Sequence, residues 1–228
     1  MQEGYISLLA KNGFKAIHLW EELYNKYPSA ELCCYLARAN FYQIFILDHD
    51  KNHPAYIGHL TNMEKYAFLA LKMKDDSSTA HAIASLAICL LISNKNWCKV
   101  DSFMIWQARY HAEVAIDIDD NPIAHISLGI WHRNCNKIPN YTSMWMKLRT
   151  GYKPVGYLDN SIMHLKKAIE LVPKNNIFKA ELALTYLSAK IYDEAKIEIN
   201  NFIVSPIMNF PASDIITSLY HKKLKIRK

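Results

Sequence analysis

Apolar residues recur along this chain at steps of three and four, in runs that short polar or proline-bearing breaks interrupt. Phe103, Trp106, Tyr110, Val114 and Ile118 form one such set, and Leu158, Ile162, Leu165 and Ile169 another. Steps of three and four return a side chain to the same face of an α-helix, so each set predicts a helix with a buried stripe. Read this way, the chain is expected to hold helices at 3–12, 14–27, 30–47, 57–74, 78–93, 98–118, 122–136, 157–172, 177–190, 192–204 and 211–226. The stretch 197–204 alternates somewhat like a strand, but Ala195, Ile199 and Phe202 keep helical spacing. Pro211 suits a first helical position, with Asp214 in the first turn and basic residues at the far end, so 211–226 reads as a terminal cap.

Five segments end alike: 16–30, 65–81, 108–125, 160–176 and 194–206. Each is an amphipathic helix end, then a break at Pro28, Asp75, Asp120, Pro173 or Pro206, then a new helix start. Ala108, Ala115 and Asp120 share one spacing with Ser161, Ala168 and Pro173. Small residues at successive positions on one face let a neighbouring helix approach closely, and Pro or Asp then stops the helix. A single helix pair leaves its apolar face uncovered, so such pairs must stack. The expectation is an all-α, right-handed α-solenoid of about five helix pairs with a capping helix, one domain over 1–228. Insertions fall at 48–58 and 136–157, the second with a short helix near 143–149.

Composition agrees. Apolar residues make up 51 % of the 228-residue chain and charged residues 21 %, as in folded domains, and only 6 Gly and 8 Pro are present, too few turns for an all-β fold. The longest apolar run, 82–92, is far short of the roughly 20 residues that span a bilayer. The residues after Met1 lack the basic flank and apolar run of a secretory leader, and five cysteines without a CxxC fit core packing in a reducing compartment, so a cytoplasmic setting is expected.

The repeated phrase resembles the tetratricopeptide repeat, whose period is 34 residues. The block 111–132 (HAEVAIDIDDNPIAHISLGIWH), Pro139 and 158–173 (LDNSIMHLKKAIELVP) more closely resemble bacterial repeat proteins related to the regulator of microtubule dynamics family. That resemblance implies an α-solenoid that binds other proteins or, in transporter-allied members, a ligand. It carries over no catalytic residue.

Charge then singles out one region. The net charge of +6 divides into −2 over residues 1–136 and +8 over 137–228, and no Asp or Glu occurs from Asn121 to Leu158. That stretch mixes Arg133, Lys137, Lys147, Arg149 and Lys153 with Trp131, Tyr141, Trp145, Tyr152 and Tyr157. A basic, aromatic, Met-bearing segment suits an acidic protein segment or, less well, an anionic membrane surface. If the first helix of each pair lines a concave groove, with Gly129 as the small packing position, then Ile126, Ile130, Arg133 and Asn134 face that groove beside Trp131. Together with Trp145, Lys147 and Arg149 they form the expected partner-binding set. The function expected is a non-enzymatic scaffold for protein partners; the alternatives are a small-molecule-binding component allied to a transporter, with 136–157 roofing a pocket, and a peripheral membrane-binding protein using Met144–Arg149.

Other chemistry is weak. The loop DHDKNH (48–53) holds ligand-type residues without a metal-site spacing, and no cofactor is expected. His81 and His125 occupy equivalent places in two repeats, which predicts a structural hydrogen bond at a helix start. No GxSxG, Walker loop, HExxH or GxGxxG occurs. The tail 221–228 (HKKLKIRK) reads as cations at a helix C-terminus rather than a nucleic-acid grip.

Overall fold

A computed structural model of the chain describes the backbone of residues 2–46, 54–93 and 100–203 and the side chains of 13–44, 54–93 and 100–200. The capping helix expected at 211–226, the loop 48–53 and the tail 221–228 lie outside the described residues.

Ten helices follow in order: α1 Gln2–Lys26, α2 Ala30–Ile46, α3 Pro54–Met73, α4 Ser78–Ser93, α5 Ser102–Ile118, α6 Pro122–Cys135, α7 Asn140–Thr150, α8 Leu158–Leu171, α9 Asn176–Ala189 and α10 Tyr192–Ile203. All the described regular structure is helical, as expected. The first two expected helices are in fact one. Gly13 does not break α1 but lets it approach α2 closely, since a Cβ at residue 13 would meet the Gln43 side chain at 1.5 Å. The end of the first insertion also becomes helix, because Pro54 starts α3, where a missing N–H costs nothing.

The helices pair as α2 with α3, α4 with α5, α6 with α8 and α9 with α10, and α1 packs ahead of the first pair. The leading helices touch in series, α2 to α4, α4 to α6 and α6 to α9, and form the inner row; α3, α5, α8 and α10 form the outer row. Four complete pairs are thus described, with α7 inserted into the third.

Each inner helix begins on the same device. The side chains of Ser29, Ser77, Asn121 and Asn175 accept hydrogen bonds from Leu32, Ala80, Ile123 and Ile177 backbone N–H groups at 3.0–3.2 Å. Each satisfies one orphan donor of the first turn. The breaks at Asp75, Asp120 and Pro173 are therefore the turns between one outer helix and the next capped inner helix, and Pro28 marks the turn from α1 into capped α2.

Small residues hold the rows together. Ala67, Ala70, Ala108, Ala112, Ala115, Ser161, Ala168 and Ala195 are all completely buried. At Gly129 a Cβ would lie 2.6 Å from Leu165 Cγ, so α6 and α8 meet at a contact only glycine allows. Two successive pairs also carry one hydrogen bond in opposite senses. Ser85 of α4 donates to Ala108 O at 2.6 Å, whereas Ser161 of α8 donates to Gly129 O at 2.7 Å. Residues 85 and 129 hold equivalent places, as do 108 and 161, so the serine changes helix while the tie persists.

One expected stripe is corrected. Phe103, Trp106, Tyr110 and Ile118 are exposed, and α5 buries Ile105, Ala108, His111, Ala112 and Ala115 instead. Both sets have helical spacing; close helix contact selects the small set and turns the bulky one outward. Of the second set, Leu165 is fully buried, while Ile162 and Ile169 pack at the core's edge.

Candidate functional site

The eight residues singled out from sequence separate into two groups. α6 touches α4, α5, α8 and α9, so almost every one of its side chains is enclosed. Ile126, Ile130, Trp131, Arg133 and Asn134 are all buried, which corrects the expectation that they face a groove. Trp131 Nε1 donates to Ile105 O at 2.8 Å, and the Arg109 guanidinium lies 5.5 Å from its ring centre. Asn134 Nδ2 donates to Ser93 Oγ at 2.6 Å. Arg133 Nη1 donates to Glu181 O at 2.9 Å and Thr185 Oγ1 at 3.1 Å, and Nη2 meets the Glu181 carboxylate. The bonds of Trp131, Asn134 and Arg133 tie α6 to α5, α4 and α9, and Ile126 and Ile130 pack in the core between them.

Trp145, Lys147 and Arg149 lie on α7, and all three are exposed. The short helix runs over 140–150 rather than 143–149. Its amphipathicity is inverted. It buries Thr142, Ser143 and Met146 and turns Tyr141, Met144, Trp145 and Leu148 outward, with Leu148 75 % and Trp145 61 % exposed. Surface helices normally bury their apolar face. At ~200 Å² for a large side chain, those four leave on the order of 500 Å² of largely apolar surface in water, the size of patch that marks an interaction site. Around it Lys147, Arg149 and Lys153 are exposed and enter none of the ion pairs among the described residues.

The following loop fastens this insertion to the end of α6. Asn136 Nδ2 donates to Gly156 O at 3.3 Å, and Tyr157 N–H donates to His132 Nδ1 at 3.4 Å. α7 itself touches α5, through Ser102 Oγ donating to Thr150 Oγ1 at 3.1 Å. The insertion thus sits on the outer side of the solenoid.

The inner side holds a cavity of about 120 Å³. Phe41, Tyr42, Met63, Leu86, Ile123 and Phe178 give it apolar walls, with Arg38 and Asn175 as polar groups. Only Pro122 and Ile123 of α6 reach it, and no residue of 136–157 lines it, so the insertion does not roof this pocket.

The histidines form a second pattern. His81 Nδ1 lies 2.8 Å from His111 Nδ1, and His125 Nδ1 lies 3.0 Å from His164 Nδ1. His81 Nε2 donates to Asp75 O and His125 Nε2 to Asp120 Oδ1, at 2.8 and 2.7 Å. In each pair one Nδ1–H donates to the Nδ1 of the facing ring, since two bare ring nitrogens would repel at that distance. Burial, and then the facing histidine, push His111 and His164 down to about 4, and His132 beside His164 falls likewise. Among the described residues no group of three or more His, Cys, Asp or Glu is placed to hold a metal ion. The expected bonds at helix starts are present; their partners, 30 and 39 residues away, were not legible in the sequence.

Stacked helix pairs, Ser or Asn caps and small-residue contacts define a tetratricopeptide-type solenoid. Its described helices include none long and apolar enough to cross a membrane. The sequence profile of the regulator of microtubule dynamics protein 1-3 family matches residues 7–209, and the chain belongs to that family. No curated protein matches it. Among solved structures it is similar to a thermophilic TPR protein of Thermus thermophilus, with a TM-score of 0.63 and 15 % identity over 99 % of this chain and 100 % of that one.

Proposed function

We propose that this protein is a non-enzymatic scaffold that binds segments of other proteins, using the outward face of α7 and, as a second contact, the inner cavity. The observation that carries the reading is the inverted α7. A helix that keeps Trp145, Leu148, Met144 and Tyr141 in water while burying two hydroxyl residues pays for it in free energy, and a partner on that face would recover the loss. The basic fringe of Lys147, Arg149 and Lys153 suits an acidic partner. The inner cavity is somewhat smaller than a ~150 Å³ cavity that holds benzene, so it suits one apolar side chain of a bound segment rather than a large ligand. Four buried free thiols, Cys33, Cys34, Cys89 and Cys135, favour a reducing compartment, and a cytoplasmic setting belongs to the same proposal.

Affinity capture with the wild-type chain and with a Trp145→Ala/Leu148→Ala variant tests it. Proteins retained by the wild type and lost from the variant are expected. An identical set on both, or none on either, refutes the reading.

A further inference from the structure

We propose that α5 and α7 form one continuous docking face on the outside of the solenoid, and that it takes an acidic, amphipathic helical segment of a partner protein. The inference rests on the α7 reading above and extends it to residues that reading leaves aside.

Phe103, Trp106 and Tyr110 stand one turn apart along the exposed side of α5. Phe103 and Trp106 stack with ring centres 5.7 Å apart and an interplanar angle of 20°; Trp106 and Tyr110 follow at 5.1 Å and 16°. They are 56 %, 40 % and 45 % exposed. Mutual stacking holds three large rings rigid in water, so little side-chain entropy is left to lose on binding. Ser102, next to Phe103, meets Thr150 at the end of α7, so this bond brings the start of the α5 ring row to the C-terminal end of α7. The α5 rings add on the order of 300 Å² to the α7 patch, and the sum approaches the ~800 Å² that one partner contributes to a standard interface.

Charge selects the occupant. The α7 end carries Lys147, Arg149 and Lys153 and no acid, so a second copy of the same face would bring like charges together. A uniformly anionic membrane suits α7 but not α5, whose exposed face ends in Asp117 and Asp119 with Glu113 held by Arg109. A segment that is acidic over α7, and presents apolar side chains to the rings, matches both ends.

The test uses the full chain and labelled helical peptides of about five turns that share one Leu/Phe face and carry Glu, Ser or Lys on the other. The Glu peptide is expected to bind about tenfold or more tightly than the Lys peptide at low salt, with the gap narrowing as salt rises. Lys147→Glu/Arg149→Glu should abolish that preference. Trp106→Ala/Tyr110→Ala, with helical circular dichroism retained, should weaken the Glu peptide about tenfold. Equal binding of all three peptides, or of none, overturns the proposal. Unchanged affinity in the α5 variant overturns the continuous face while leaving the α7 reading intact. Tighter binding to phosphatidylserine vesicles than to the Glu peptide, or sedimentation as a dimer that blocks peptide binding, also overturns it.

Discussion

Replacing Arg133 with Met is the sharpest probe of how the repeats hold together. Arg133 crosses from α6 to α9, where its guanidinium meets the Glu181 carboxylate, the Glu181 carbonyl and Thr185 Oγ1; the side chains of both ion-pair partners are only 9 % exposed. Removing the cation leaves a buried carboxylate with no counter-charge and strips a donor from two acceptors. Breaking one partner of a buried pair costs ~3–5 kcal/mol, whereas replacing both by apolar residues of similar size is often neutral. Arg133→Met should therefore destabilise by about 3–5 kcal/mol, and Arg133→Met/Glu181→Leu should recover most of that loss. Against a total stability of about 5–15 kcal/mol, the single variant is severely weakened. With a urea slope of ~2–3 kcal/mol/M, its midpoint should fall by roughly 1–2.5 M. Urea unfolding followed by circular dichroism, on the wild type, both single variants and the double variant, measures the coupling. A loss below ~1 kcal/mol for Arg133→Met, or a double variant no better than the worse single one, would refute a closed α6–α9 ion pair.

Three further outcomes follow from the same geometry. His111 and His164 sit at about 4, below an unfolded value near 6.5, so the unfolded chain binds their protons first as pH falls. Their stability contribution is complete above about pH 6.5 and lost between there and pH 4, at most ~3 kcal/mol for His111 and less for the more exposed His164; denaturation across that range should show stability rising with pH, and a flat profile would contradict the pairing. Gly129→Ala should destabilise by about 1–3 kcal/mol, because the added Cβ overlaps Leu165; a stabilised variant in thermal melts would show that the contact is looser. Trp145→Ala and Leu148→Ala should each change stability by no more than ~0.5 kcal/mol, since both side chains stand in solvent; a loss of 2 kcal/mol or more by urea titration would make α7 a core element instead.

The repeat architecture was legible because its signals are local. The breaks at Pro28, Asp75, Asp120 and Pro173 and the small residues beside them act within a turn or two, and the helices fall close to where periodicity places them. Which face of a helix points inward is not local. α5 has two helical stripes, and only its packing against α4 and α6 shows that Ala108, Ala112 and Ala115 win over Phe103, Trp106 and Tyr110. The same ambiguity misplaced Ile126, Ile130, Arg133 and Asn134. An inner helix flanked by four others has almost no free face, and nothing near Arg133 in sequence announces Glu181, 48 residues on. The acid-free stretch did point to α7, because charge composition needs no knowledge of packing. That the helix is inside out became visible only once Thr142, Ser143 and Met146 were seen to be its buried side.

The proposed partner binding by this protein centres on the outward face of α7. A photo-crosslinking amino acid placed at position 145 in the full chain, compared with one at exposed Glu170 on α8, tests that face directly. Discrete protein adducts at position 145, suppressed by Leu148→Ala and absent at position 170, are the predicted result. No adduct at 145, or the same adducts at both positions, would contradict it.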